Sequence, residues 1–259
     1  GPVEPAPLGG PVEPAPLGGP AAPAPIEGPA APAPPAARGE PVRVRLCLAK
    51  RLPASHASHL EYMLAVLRAL RRAGWPLAYS QGFHPKVRAS FGPACPTGIE
   101  SAAEWVEVQL GQPAELAPLE RALAAALPPG LELVRLERVA EGAPALSRLI
   151  SAVRYRIELD GIGREEARAA RAEWMQRARW EVERQGKAGR RRIDIRPSVL
   201  RLELERDAGG FYADLTVLAG SSQGEDRARA RPGEVAGCVF GLTAPRIRRE
   251  GVLLAEERS

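Results

Sequence analysis

The feature that most constrains this chain is an abrupt change of character at Val42. Fourteen of its 27 prolines fall in residues 1–41, a stretch without a single aromatic residue. They sit in a nine-residue repeat: GPVEPAPLG from Gly1 and again from Gly10, GPAAPAPIE from Gly19 and GPAAPAPPA from Gly28. Proline fixes φ and removes an amide donor, so residues 1–41 are predicted to be a disordered, extended, polyproline-like spacer. Units this short and poor in large apolar groups have nothing to stack, which excludes a solenoid. The chain opens on Gly1, as a fragment or a processed start would.

From Val42 onward the pattern is that of a packed α/β protein. VRVRLCL alternates charged and apolar residues, the period-two signature of a half-buried strand. Ala54 to Ala73 carries Leu60, Met63, Leu64, Leu67 and Leu70 at helical spacing, with Ser55 or Ser58 available as the cap and Gly74 as the stop. PLAYS, KVRASFG and EWVEVQL read as extended pieces, Ala114 to Ala126 as a second helix, and LELVRLERV as a closing strand. A second unit repeats the logic: VRYRIEL, a helix over Arg164 to Gln176, four strands within 180–219, a short helix over Arg231 to Phe240, and IRREGVLL. The expected fold is α+β, two successive ferredoxin-like or split βαβ layers with mostly antiparallel sheets. The first unit spans 42–142 and the second 147–255, with the boundary in EGAPALS.

Charge and cysteine content narrow the function classes. The formal charge of +5 hides a tail value of −3 (Glu4, Glu13, Glu27 and Glu40 against Arg38), which leaves +8 on residues 41–259. Arginine carries most of it, a side chain whose planar fork suits phosphate, although codon bias would enrich arginine equally. Cys47, Cys95 and Cys238 form no CxxC pair, which argues against a thioredoxin-like or four-cysteine zinc site. With no basic-then-apolar leader and no apolar run of membrane-spanning length, the chain reads as reduced, cytoplasmic and without a membrane partner. No GxxxxGK[ST] or GxGxxG motif is present, so no nucleotide cofactor is indicated.

The polar constellation lies between Ser55 and Ser101. YSQGFHPK, Tyr79 to Lys86, compresses polar and aromatic residues between a glycine that admits positive φ and a stiffening proline. All three histidines, His56, His59 and His84, lie in this region. They could be drawn as metal ligands with Cys95 or Glu61, but the spacing fits no established ligand pattern; the plainer reading is packing and capping, and no bound metal is predicted. Cys95 as a nucleophile, or Ser80, His84 and Glu100 as a triad, are weaker drawings still, since no GxSxG elbow exists. Arg68, Arg71 and Arg72 close the first helix, where cations favour the dipole, and Lys86 and Arg88 follow the loop. A second basic run, KAGRRRIDIR from Lys187 to Arg196, leads into an alternating strand with Ile193 and Ile195 on one side and Asp194 and Arg196 on the other. It is either a solvated hairpin tip or a phosphate-binding hairpin. In the binding version, loop and hairpin border one groove with His59 at its floor. Gln81 and His84 supply hydrogen bonds, Tyr79 or Phe83 a stacking face, and Lys86, Arg190, Arg191 and Arg192 phosphate contacts, with Glu100 nearby.

The run SHLEYMLAVLRALRRAGWPLAYSQGFHPKVRASFGPACPTGIES, followed by EWVEVQL, LPPGLELV and LISAVRYRI, resembles the radical SAM-linked protein family. That family is a domain of unknown function found alone or fused behind a B12-binding-type radical-SAM module. The resemblance covers about residues 42–255 and matches Ser58, His59, Leu60, Tyr79 to Phe83, Pro85, Lys86, Ser90, Phe91, Pro96, Gly98, Glu100 and Ser101. Glu61 stands where an aspartate is usual, and Val87 and Cys95 where proline and leucine are. The resemblance implies a partner radical-SAM enzyme, because the three closely spaced cysteines of such a cluster are absent from this chain. The two successive α/β layers are also similar in architecture to RNA-modifying pseudouridine synthases, whose catalytic aspartate motif has no match here. The expected function is an accessory substrate-recognition domain for radical-SAM-type modification of RNA or a ribosome-associated substrate. The alternatives are an independent RNA-modifying enzyme and a structural protein–protein interaction module.

Overall fold

The computed structural model describes residues 42–186, 189–219 and 229–254. The proline-rich repeats and Lys187 lie outside that range. The first half runs β1 (Val42–Lys50), α1 (His59–Arg72), β2 (Ala89–Phe91), β3 (Glu100–Leu110), α2 (Leu116–Ala126) and β4 (Leu131–Arg138). The expected helix from Ala54 is divided, because a 3-10 turn at Ala54–His56 precedes Ser58, which is the true cap. The Ser58 hydroxyl accepts the Glu61 N–H at 3.3 Å and the Glu61 carboxylate accepts the Ser58 N–H at 2.8 Å, a reciprocal box that satisfies two otherwise orphan donors. After a four-residue helix α3 (Leu146–Leu149), the second half runs β5 (Ile150–Glu158), α4 (Arg164–Gln176), β6 (Glu181–Gly186), β7 (Gly189–Asp194), β8 (Val199–Asp207), β9 (Gly210–Leu218), α5 (Pro232–Phe240) and β10 (Ile247–Leu254).

Each half is a ferredoxin-like βαββαβ unit. The strands of the first lie in the order β4-β1-β3-β2 and those of the second in the order β10-β5-β9-β8, with β6 and β7 inserted as a separate ribbon. The two sheets are fused. One edge of β3 pairs with β1, while its other edge is divided between β2, antiparallel at 106–108, and β10, parallel at 100–101. Because β2 is only three residues long, it leaves the start of β3 open for β10. The segment expected to link the halves is packed: Leu146 and Leu149 of α3 are buried, and the Ala143 and Pro144 carbonyls accept from Arg43 and Arg45.

Strand directions follow from the pairings. β10 runs parallel to β3, whereas β1 is antiparallel to β3 and β5 to β10. Therefore β5 points the same way as β1, and the second unit is the first one translated along the sheet. Directly paired residues share a face, so Lys50, Ser101, Arg249, Tyr155 and Leu215 form one row across five strands. The α1/α2 pair packs on that face over Leu46, Leu48, Val106 and Val108, and α4/α5 over Tyr155, Ile157, Leu202 and Leu215. Much of the arginine charge is consumed structurally. Arg43 and Arg45 share Glu107, Arg154 pairs with Asp214, Arg156 with Glu158 and Asp207, and Arg171 with Glu203. Among the described residues no helix is long and apolar enough to cross a membrane.

Candidate functional site

The YSQGFHPK segment is a tight hairpin loop. Tyr79 and Val87 bridge, the Ser80 N–H donates to the Lys86 carbonyl at 2.8 Å, and the Lys86 N–H donates to Ser80 Oγ at 3.0 Å. Gly82 turns the chain at φ +126°, a conformation that L side chains rarely adopt. Gln81 to Lys86 are exposed, and Phe83 is 102% exposed, a phenyl ring with nothing over it. Of the two stacking candidates, Phe83 is therefore presented to solvent, whereas Tyr79 packs inward on the first core.

The basic run supplies β7 of the β6–β7 ribbon, with Glu181 opposite Asp194 and Gly186 opposite Gly189. Arg184 clamps the ribbon to α5, both of its contacts with Glu234 measuring 2.6 Å. Arg190, Arg191 and Arg192 are exposed, the first lying 3.7 Å from Glu183. The expected two-sided alternation stops at the end of the strand. The Asp194 carboxylate accepts the Trp180 and Arg196 N–H groups at 2.9 and 3.0 Å, Ile195 is fully buried, and Arg196 turns onto Trp174.

Loop and ribbon occupy equivalent places in the repeat, the α1-to-β2 and the α4-to-β8 connections. β2 and β8 are antiparallel to β3 and β9 and so run with β1 and β5. Both connections therefore meet the sheet at the same end. They enter about three strand positions apart, roughly 15 Å at the usual strand spacing. No hydrogen bond or ion pair joins the two connections among the described residues.

His59 belongs to different company. It opens α1, whereas the loop follows the far end of that 14-residue helix, roughly 20 Å away along the axis. Its ring lies 6.2 Å from Tyr62 and 6.4 Å from Phe91, and burial, the largest influence, lowers its pKa below 6.5. Arg249, Lys50 and Glu104 are the charges that act on it. These belong to a buried polar group that sequence reasoning missed. Arg249, 1% exposed, donates to Glu104 Oε1 at 2.9 Å, to the Pro93 and Ala94 carbonyls at 2.8 and 2.7 Å, and to Tyr155 Oη at 3.1 Å. Glu104 is 4% exposed and Lys50 2%, and the Lys50 side chain makes no hydrogen bond or ion pair among the described residues. Arg249 and Tyr155 come from the second half, Glu104 and the 93–94 carbonyls from the first, so the group clasps the two units where β10 meets β3. A signal for it existed: Lys50, Glu104 and Arg249 each stand in the apolar phase of their strands, in step with Leu48, Val106 and Ile247.

The other drawn constellations are not assembled. Ser80 Oγ accepts from Lys86, and Glu100 Oε1 accepts the Leu52 N–H at 3.0 Å, so Ser80, His84 and Glu100 do not form a triad. Cys95 is buried with Sγ 3.5 Å from the Ile99 carbonyl, and burial pushes its thiol up to about 11, away from nucleophilic thiolate. No three His, Cys, Asp or Glu side chains converge to hold a metal among the described residues, so His56, His59 and His84 are not brought together.

A family model described as an uncharacterized protein conserved in bacteria, DUF2344, matches residues 43–227. The chain belongs to that family. The match takes in both connections, Glu104 and Tyr155, and ends before α5 and β10, which carries Arg249. No curated protein matches the chain.

Proposed function

We propose that this DUF2344 chain is a non-catalytic recognition module that binds single-stranded RNA, or a ribosome-associated RNA substrate, for a separate radical-SAM enzyme. The observation that carries the reading is the pairing of the two equivalent connections at one end of the sheet. One presents the bare Phe83 ring beside Gln81, His84 and Lys86, and the other presents Arg190 to Arg192. An aromatic face supplies stacking to unpaired bases, and arginine forks supply paired donors to phosphates. The choice of a radical-SAM partner rests on the resemblance of the Ser58 to Ser101 run.

Recovery of the tagged full chain from cells, with and without ribonuclease, tests both parts. The reading expects co-purifying RNA that ribonuclease removes and a radical-SAM enzyme in the same fraction. Recovery of neither sinks it. A partner complex that survives both ribonuclease and substitution of Phe83 would identify a protein–protein module instead.

A further inference from the structure

At the base of the basic ribbon lies an open cleft of about 450 Å³, lined by Met175, Gln176, Arg177, Ala178, Arg196 and Pro197. That is a ligand-sized volume. The walls are unusual in their order. The Arg177 guanidinium stands 4.7 Å from the Trp180 ring, Trp180 stands 4.8 Å from Trp174, and the Arg196 guanidinium stands 5.3 Å from Trp174. The four groups follow one another as Arg177, Trp180, Trp174 and Arg196, with the two indole planes tilted 45° to each other. Arg177 is also paired with Glu173. Arg196 makes no side-chain hydrogen bond or ion pair among the described residues, and its Nε is buried without a partner.

A guanidinium with a desolvated nitrogen and no carboxylate is costly unless an anion completes it. The Arg196 guanidinium lies 5.3 Å from the Trp174 ring with its Nη groups unpaired among the described residues, which suits a phosphate. Glu173 neutralises Arg177 and the C-terminal end of α4 contributes roughly half a negative charge, so the net positive charge of the cleft rests on Arg196. We propose that this cleft receives one phosphodiester of a single-stranded RNA, with the Arg196 Nη groups as donors and the exposed Met175 and Pro197 against the adjoining base or sugar. The inference rests on the RNA-recognition reading and adds a site to it. Because α4 ends where the α4-to-β8 connection begins, the cleft extends the surface started by Arg190 to Arg192.

Titration of a labelled oligouridylate with the full chain, followed by fluorescence anisotropy at several salt concentrations, tests the site. Arg196→Met is expected to weaken binding roughly tenfold and to reduce the salt slope by about 0.7. Arg196→Lys should keep the slope while losing part of the affinity, since an ammonium cannot form the stacked fork. Arg177→Gln, at an exposed position, should weaken binding several-fold. Wild-type binding matched by both Arg196→Met and Arg177→Gln would overturn the cleft and leave the recognition reading standing. Absence of wild-type binding would overturn both.

Discussion

Replacing Arg249 with methionine is the sharpest test of how the two units are held together. The substitution removes four hydrogen bonds of 2.7 to 3.1 Å and leaves Glu104, 4% exposed, as an unpaired buried carboxylate. Losing one partner of a buried pair costs about 3–5 kcal/mol, because the remaining charge keeps its desolvation penalty without its compensation. For a folded region of this size each kcal/mol moves the melting midpoint by about 2–4 °C, so the midpoint should fall by roughly 6–20 °C. Glu104→Gln should cost less, since it strands no carboxylate while the two loop carbonyls and Tyr155 still engage the arginine. Urea denaturation of the wild type, both single variants and the double variant closes a double-mutant cycle. The expected double variant is less damaged than the sum of the singles by more than about 1 kcal/mol. Additive singles, or a loss under about 1 kcal/mol for Arg249→Met, would refute the clasp.

Burial pushes Cys47, Cys95 and Cys238 up to about 11, so at pH 8 only on the order of one thiol in a thousand is ionised in each. Alkylation by iodoacetamide, read by mass spectrometry, should be more than a hundredfold slower in the native chain than after denaturation; rapid labelling of Cys95 would contradict its inert role. Gly130 sits at φ +85° and an added Cβ would lie 2.8 Å from the Ala54 nitrogen, so Gly130→Ala should cost at least about 2 kcal/mol in denaturant melts. Gly163→Ala, at φ −68° with open space, should change stability by less than about 1 kcal/mol. His59 has a folded pKa below its unfolded 6.5, so the folded state binds fewer protons there. Its contribution is present above pH 6.5 and lost as pH falls through the folded value; stability should drop on acidification over that window, and His59→Phe should flatten that part of the profile.

Periodicity made most of the fold legible. The helix expected over Arg164 to Gln176 and the strand over IRREGVLL stand where the pattern put them, because amphipathic repeats report burial directly. Pairing was not legible. That β10, paired with β5 at the edge of its own unit, would also lie beside β3 depends on the shortness of β2, a tertiary outcome that no local pattern encodes. The small α3 was absorbed into an expected linker because four residues give no helical period. At the site, the exposed tip of YSQGFHPK followed from its glycine and proline, but which aromatic ring faces solvent did not. Tyr79 and Phe83 differ only in their place relative to the bridge that closes the loop. The buried Lys50, Glu104 and Arg249 were visible as charges in the apolar phase of three strands. Only the sheet order shows that those three phases meet at one point.

Binding of a labelled single-stranded oligouridylate by the full chain across a range of salt tests the recognition account most directly. The account predicts binding that weakens steeply with salt, a slope that falls by about 1.4 in Arg190→Ala/Arg192→Ala, and a loss of about 1–3 kcal/mol in Phe83→Ala with the slope unchanged. Unchanged affinity and slope in the double arginine variant, together with no effect of Phe83→Ala, would contradict it.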